Sequence, residues 1–282
     1  PKTAEFQNKF AKMCGVKHAV ACSNCTTGMH IATQLFDIRA GDEVIVTPVT
    51  FIATSLVILK ERAKPVYADI DPRTYNIDPG EIEKKITKKT KAIYVVHYAG
   101  LVCDMDPIMD IARRHNLFVM EDCAHAVGAE YKGRKAGSIA DIGVFSFHSL
   151  KNITTCGEGG MMTTNNDLFA KGMEKLRCMN LTDWAADQKK WEFGPVTIEK
   201  EGRLDYWIPS HFNVDDWNGH WGNNYRMNEI QAAVGCVQLD KLDMLTDRRR
   251  AIGHRLNQGL AGVKGVTPVF EPDGYKHVYH LY

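Results

Sequence analysis

The sequence predicts an α/β fold, a mostly parallel central sheet flanked by helices, on two observations. Short apolar runs that suit strands alternate with amphipathic helical runs from residue 19 to residue 120, as parallel strands joined by right-handed crossovers do. A chain of 282 residues, 44% of them hydrophobic, can also bury one sizeable core and begin a second domain.

A helix comes first, with Phe6, Phe10 and Met13 on one stripe and Gly15 as its stop. Strands are then expected at 19–22, 43–47, 65–68, 92–97 and 117–120, separated by helices at 26–36, 51–60, near 81–86 and near 107–115. After Asp122 the pattern changes to short strands at 142–147 and 161–164 and a helix at 167–177. Residues 181–222 are polar, irregular and hold all five tryptophans: Trp184, Trp191, Trp207, Trp217 and Trp221. A stretch of that length reads as a functional or interface loop, and its tryptophans, with His211 and His220, are candidates for a substrate wall. Helices resume at 225–239 and 241–260, and 277–282 looks like a strand cut short. With a start at Pro1, these ends lead us to expect a piece of a longer protein, truncated at its N-terminus. In such an architecture ligands collect at the carboxyl ends of the strands.

Lysine plus arginine number 35 and aspartate plus glutamate 34, so no global field favours nucleic acid or an anionic membrane. No apolar run approaches a membrane span and no signal pattern opens the chain, so a cytoplasmic location is expected. The eight cysteines are scattered through a chain too long to need staples, which predicts reduced thiols. Cys22 and Cys25 form a lone CxxC with no second pair, and are read as ordinary thiols in a loop; no metal site is expected. The basic run 247–250 lies on a polar helix and reads as a solvated face.

The chemistry gathers around Lys151, between the apolar run ending at Phe147 and the turn Gly157-Glu158-Gly159-Gly160. A lysine there, with an acid ending an earlier buried strand, suits pyridoxal 5′-phosphate (PLP), which needs an amine for its aldehyde and a carboxylate for its ring nitrogen. Asp122 follows the apolar run 117–120 and supplies the acid. His125, three residues on, is placed to hydrogen-bond the phenolic oxygen or to stack near it. Residues 23–28 join a strand to a helix, so helix-start amides, with the hydroxyls of Thr26 and Thr27, can hold a phosphate. Ser146 is another phosphate donor, on the strand face opposite Phe145 and Phe147, and Phe51 is the candidate to stack on the pyridine ring.

These stretches, with Ala40-Gly41-Asp42-Glu43, Glu121-Asp122 and Gly222-Asn223-Asn224-Tyr225-Arg226-Met227, resemble the DegT/DnrJ/EryC1/StrS family of PLP-dependent sugar aminotransferases, of fold type I. The resemblance implies Lys151 as the lysine bound to PLP and Asp122 as the partner of its ring nitrogen. It implies His125 beside the phenolic oxygen, Thr26, Thr27 and Ser146 as phosphate contacts, and Phe51 on the ring. Asn224 is implied to reach the phosphate in the neighbouring subunit, making a homodimer with composite active sites. The donor it implies is glutamate or glutamine, and the acceptor a keto sugar, most often nucleotide-linked. Residues 1–245 are expected to form the large PLP-binding domain, and 246–282 the beginning of a smaller C-terminal α+β domain. The family's dehydratases carry histidine where Lys151 stands, which argues against that activity; a non-catalytic nucleotide-sugar binding protein is the reading from another class. Asn24-Cys25-Thr26 stands where the family usually has serine-glycine-threonine, so the cradle here must take a backbone open to residues with a side chain.

Overall fold

The computed structural model describes residues 1–180 and 216–282. Along each central strand, successive apolar side chains enter opposite faces of the sheet, as a period of two requires. On β4 (Thr90–Val96) Ile93 and Val95 face one core while Ala92 and Tyr94 face the other. On β5 (Phe118–Asp122) Val119 and Met120 divide in the same way. Strands buried on both faces read as continuous apolar runs, which is why they stood out in the sequence.

The other strands of this sheet are β1 (His18–Cys22), β2 (Glu43–Val46), β3 (Lys64–Tyr67), β8 (Ile142–Ser146) and β9 (Gly160–Thr164). Their order is β1-β9-β8-β5-β4-β2-β3, and β9 alone runs antiparallel to its neighbours. The sheet is therefore mostly parallel, as expected. The first core is covered by α1 (Lys2–Cys14), α5 (Met105–His115) and α7 (Glu229–Asp240). There Phe6 and Phe10 of α1 meet Phe145 and Phe147 at ring-centroid distances of 4.8–5.5 Å. The second core lies under α2 (Cys25–Leu35), α3 (Ala53–Lys60) and α6 (Asp167–Leu176). A short α4 (Pro79–Lys84) and the long α8 (Leu242–Leu260) complete the helices among the described residues, none of which is long and apolar enough to cross a membrane.

Several sequence expectations are corrected. The helix expected from 225 starts at Glu229, because Asn228 and Gln231 form a capping box there and Asn224 instead bridges to Cys178. The run 277–282 is not a strand; the short β10 (Tyr275–Lys276) just before it pairs with β6 (Glu130–Tyr131), which pairs with β7 (Arg134–Lys135). Arg250 is not on a solvated face: its guanidinium donates to Glu271 at 2.6 Å and to the His277 carbonyl at 2.7 Å.

The last residues dock on the turn after β4. Val278 N–H donates to the Gly100 carbonyl (3.1 Å), and His280 N–H to that of Ala99 (2.8 Å). Gly100 has φ +102°, and a Cβ there would lie 2.8 Å from the Val278 side chain and 3.0 Å from the His125 carbonyl oxygen. Gly100→Ala is thus expected to cost about 1–3 kcal/mol and to loosen residues 278–281. Denaturant unfolding against the wild type checks this; an unchanged midpoint would contradict it.

Candidate active site

Six strands of the main sheet point their carboxyl ends one way, and there a cavity of about 410 Å³ opens. The segments after these strands line it: Asn24 to Thr26 after β1, Thr50 and Phe51 after β2, Asp122 and His125 after β5, and Ser146 to Lys151 after β8. This is where an α/β sheet gathers its ligands.

Asp122 ends β5 and is 4% exposed. Its Oδ2 accepts from the Thr54 hydroxyl at 2.9 Å and its Oδ1 from the Ala124 N–H at 3.0 Å, while the Cys25 thiol lies 3.9 Å from Oδ1. Burial pushes its carboxyl above the usual range, against the pull of those donors and of Lys151. The residues after Asp122 form no helix, so its bond to Ala124 is a local turn contact, not a helix cap.

Lys151 is half-buried in a turn closed by its own N–H on the His148 carbonyl (2.9 Å). Burial lowers the pKa of its ammonium, with Asp122 and Cys25 opposing, so the neutral, nucleophilic amine is favoured more than in solution. The glycine-rich turn that follows has a packing role as well. A Cβ on Gly160 would come within 2.5 Å of the Asn24 backbone, so β9 reaches the loop after β1 only because this residue is glycine.

That loop becomes the first turn of α2. Asn24 caps it, accepting from Thr27 N–H at 2.9 Å, and the Thr27 hydroxyl lies 3.3 Å from the Asn24 N–H it accepts from. The N–H groups of Cys25 and Thr26 have no acceptor among the described residues, as helix geometry demands, and leave an electropositive helix end beside the cavity. Cys25 is an ordinary first helical residue without positive φ, as its side chain required.

Of the residues expected at the site, Lys151, Asp122, Thr26, Phe51, His125 and Ser146 all line this one cavity. Phe51 is 73% exposed, which leaves its ring unpacked at the rim. Thr27 is not among the lining residues; its hydroxyl also contacts Ser23 Oγ (3.0 Å) and donates to the Asn24 carbonyl (2.9 Å), so it braces the cap. Asn224 is exposed and also does not line the cavity; its Oδ1 accepts from Arg226. His125 has burial, Lys151 and His280 driving its pKa down to about 3, so it is neutral, and its Nδ1 is buried with no partner among the described residues.

Sequence reasoning missed His280, Thr54 and Cys25 at the site. The spacing of Thr50 and Thr54, one helical turn apart with hydroxyls 2.8 Å from each other, was a usable signal; His280, 129 positions after Lys151, gave none. The substrate wall expected of the tryptophan segment is corrected in part. His220 is 6% exposed and bonds Asp37 at 3.0 Å, and Trp217 packs against the second core. Trp184, Trp191, Trp207 and His211 lie outside the described residues. Among the described residues His97, Glu121 and Cys123 lie close enough to suggest a metal. The Glu121 oxygens are already taken by His97 and the amides of Gly137, Ile139 and Ala140, which makes this a buried structural pair.

The model of the DegT/DnrJ/EryC1/StrS aminotransferase family matches residues 1–282. GDP-perosamine synthase of Caulobacter vibrioides is 45% identical over 281 residues, covering 99% of this chain and 67% of the relative. Spore coat polysaccharide biosynthesis protein SpsC of Bacillus subtilis is 39% identical over 284 residues, covering 100% of this chain and 67% of the relative. The crystal structure of an aminotransferase from Psychrobacter cryohalolentis superposes with a TM-score of 0.85 at 38% identity, covering 99% of this chain and 68% of that one.

Proposed function

The chain belongs to the DegT/DnrJ/EryC1/StrS aminotransferase family, and from that premise we propose that it is a PLP-dependent sugar aminotransferase of amino-sugar biosynthesis. We take its donor to be glutamate or glutamine and its acceptor a nucleotide-linked keto sugar, the class to which the Caulobacter relative's name points. The fold is that of type I PLP enzymes. The observation that carries the reading is one cavity shared by a half-buried lysine, a buried aspartate and a helix N-terminus with unpaired amides.

The donor set fits PLP. Cys25 and Thr26 N–H, with the hydroxyls of Thr26 and Ser146, would hold its phosphate; Phe51 would cover its ring, and Lys151 Nζ would bind its aldehyde. The unpartnered Nδ1 of His125 is an orphan that the phenolic oxygen would satisfy. PLP, when bound, supplies the aldehyde that carries the amino group and the ring that draws electrons from the substrate carbon. Asp122 would then hold a proton on the ring nitrogen. Lys151 Nζ would be the base that takes the substrate's Cα proton and returns it. Residues 1–245 would form the cofactor domain and 246–282 begin a second, and the eight free cysteines suit a cytoplasmic location.

Adding glutamate to the PLP-loaded protein should abolish its visible absorption, and a nucleotide-linked keto sugar should restore it. A non-catalytic binding protein would show neither change.

We also place Asn224 at the phosphate of the partner subunit's site. Mixing Lys151→Ala protein with Asn224→Ala protein should then produce heterodimers with one intact site and restore activity. If mass spectrometry shows subunit exchange and activity stays absent, both residues serve the same chain's site.

A further inference from the structure

His280 joins this cavity from far along the chain, and its hydrogen bonds define which ring nitrogen carries the hydrogen. Asn152 Nδ2 donates to the Val278 carbonyl at 3.3 Å. A carbonyl oxygen only accepts, so Asn152 must turn its Oδ1 toward His280, whose Nδ1 lies 3.0 Å away. Nδ1 therefore carries the hydrogen, and Nε2 keeps a bare lone pair. The ring stacks on His125 with centroids 4.2 Å apart and lines the cavity, and the backbone N–H of His280 fixes its position by donating to the Ala99 carbonyl. Burial, with the charges of Lys151 and Arg249, pushes its pKa down to about 4, so it stays neutral and accepts hydrogen bonds without taking protons near neutrality.

A bare lone pair attracts hydroxyl groups and repels carboxylates. The two proposed substrates differ in this respect: an amino-acid donor brings carboxylates to the cavity, and a sugar brings hydroxyls. Resting on the aminotransferase reading, we propose that His280 Nε2 accepts a hydrogen bond from a hydroxyl of the sugar, which makes it a specificity-determining residue for the acceptor half-reaction.

The test uses His280→Phe, which keeps the stacked ring and removes the lone pair, and follows the absorption of the PLP-loaded protein. Glutamate drives the donor half-reaction, and GDP-perosamine drives the sugar half-reaction in reverse. The variant should lose about tenfold in apparent affinity for GDP-perosamine while its response to glutamate stays within about twofold of wild type. Equal losses with both amines, or none with GDP-perosamine, overturn the assignment to His280. A wild-type protein that responds to glutamate and not to GDP-perosamine rejects the sugar class on which it rests. A wild-type protein that responds to neither overturns the aminotransferase reading itself.

Discussion

Lys151→Ala is expected to remain folded, to lose covalent attachment of PLP, and to lose roughly 10³-fold or more in turnover. The fold should tolerate the change because the amine is half-buried in a turn closed by a backbone bond that alanine keeps. Chemistry should not tolerate it, because one nitrogen is asked both to hold the cofactor and to move the substrate proton. The two stacked histidines of the cavity are no ready substitute: His125 has a pKa pushed down to about 3 and His280 to about 4, too low for a base near neutrality. Borohydride reduction of the wild type followed by peptide mapping should place the pyridoxyl mass on Lys151. That mass on another lysine, or turnover in the variant within tenfold of wild type, would reject the role.

Asp122→Asn is expected to bind PLP and to lose roughly 10²- to 10³-fold in turnover, the scale of breaking a buried ion pair. The amide can keep the local contacts, with Oδ1 accepting from Ala124 N–H and Nδ2 donating to the Thr54 hydroxyl, now an acceptor. What it loses is charge. A carboxyl whose pKa is higher in the folded than in the unfolded state makes folding less favourable as pH rises from the unfolded value through the folded one. Above that window the buried charge is a standing cost, so the cofactor-free variant should melt no lower than wild type near neutrality. Near-normal turnover would remove Asp122 from the chemistry; a lower melting temperature would make its carboxylate a structural group.

The fold was largely readable because the central strands are buried on both faces and the helices between them carry clear apolar stripes. Asp122, Ser146 and Lys151 were readable for a related reason: each lies at or just beyond the end of such a run, where the topology places ligands. Residues 130–135 were not, since two-residue strands make no periodic pattern. Thr27 shows another limit, because a hydroxyl that braces a helix cap and one that faces a ligand look alike in a sequence. His280 shows a third, for its place depends on the backbone of Ala99 and Gly100 and on the side chain of Asn152, 128 residues before it.

The position of β1 at the sheet edge bears on the order in which the molecule can be assembled. Among the described residues the strand neighbour of β1 is β9, with His18 opposite Thr164 and Cys22 opposite Gly160. The loop that follows β1 is tied later still, by the Ser23 N–H on the Tyr225 carbonyl at 2.7 Å. Synthesis from the N-terminus therefore delivers the loop after β1 early and its supports late, a long-range closure of the kind that folds slowly. A nascent chain that stops short of β9 already carries Asp122 and Lys151, while the loop after β1 has neither its strand neighbour nor its tie to Tyr225. Under the proposed function, PLP binding would then favour chains in which β9 and Tyr225 have reached this loop.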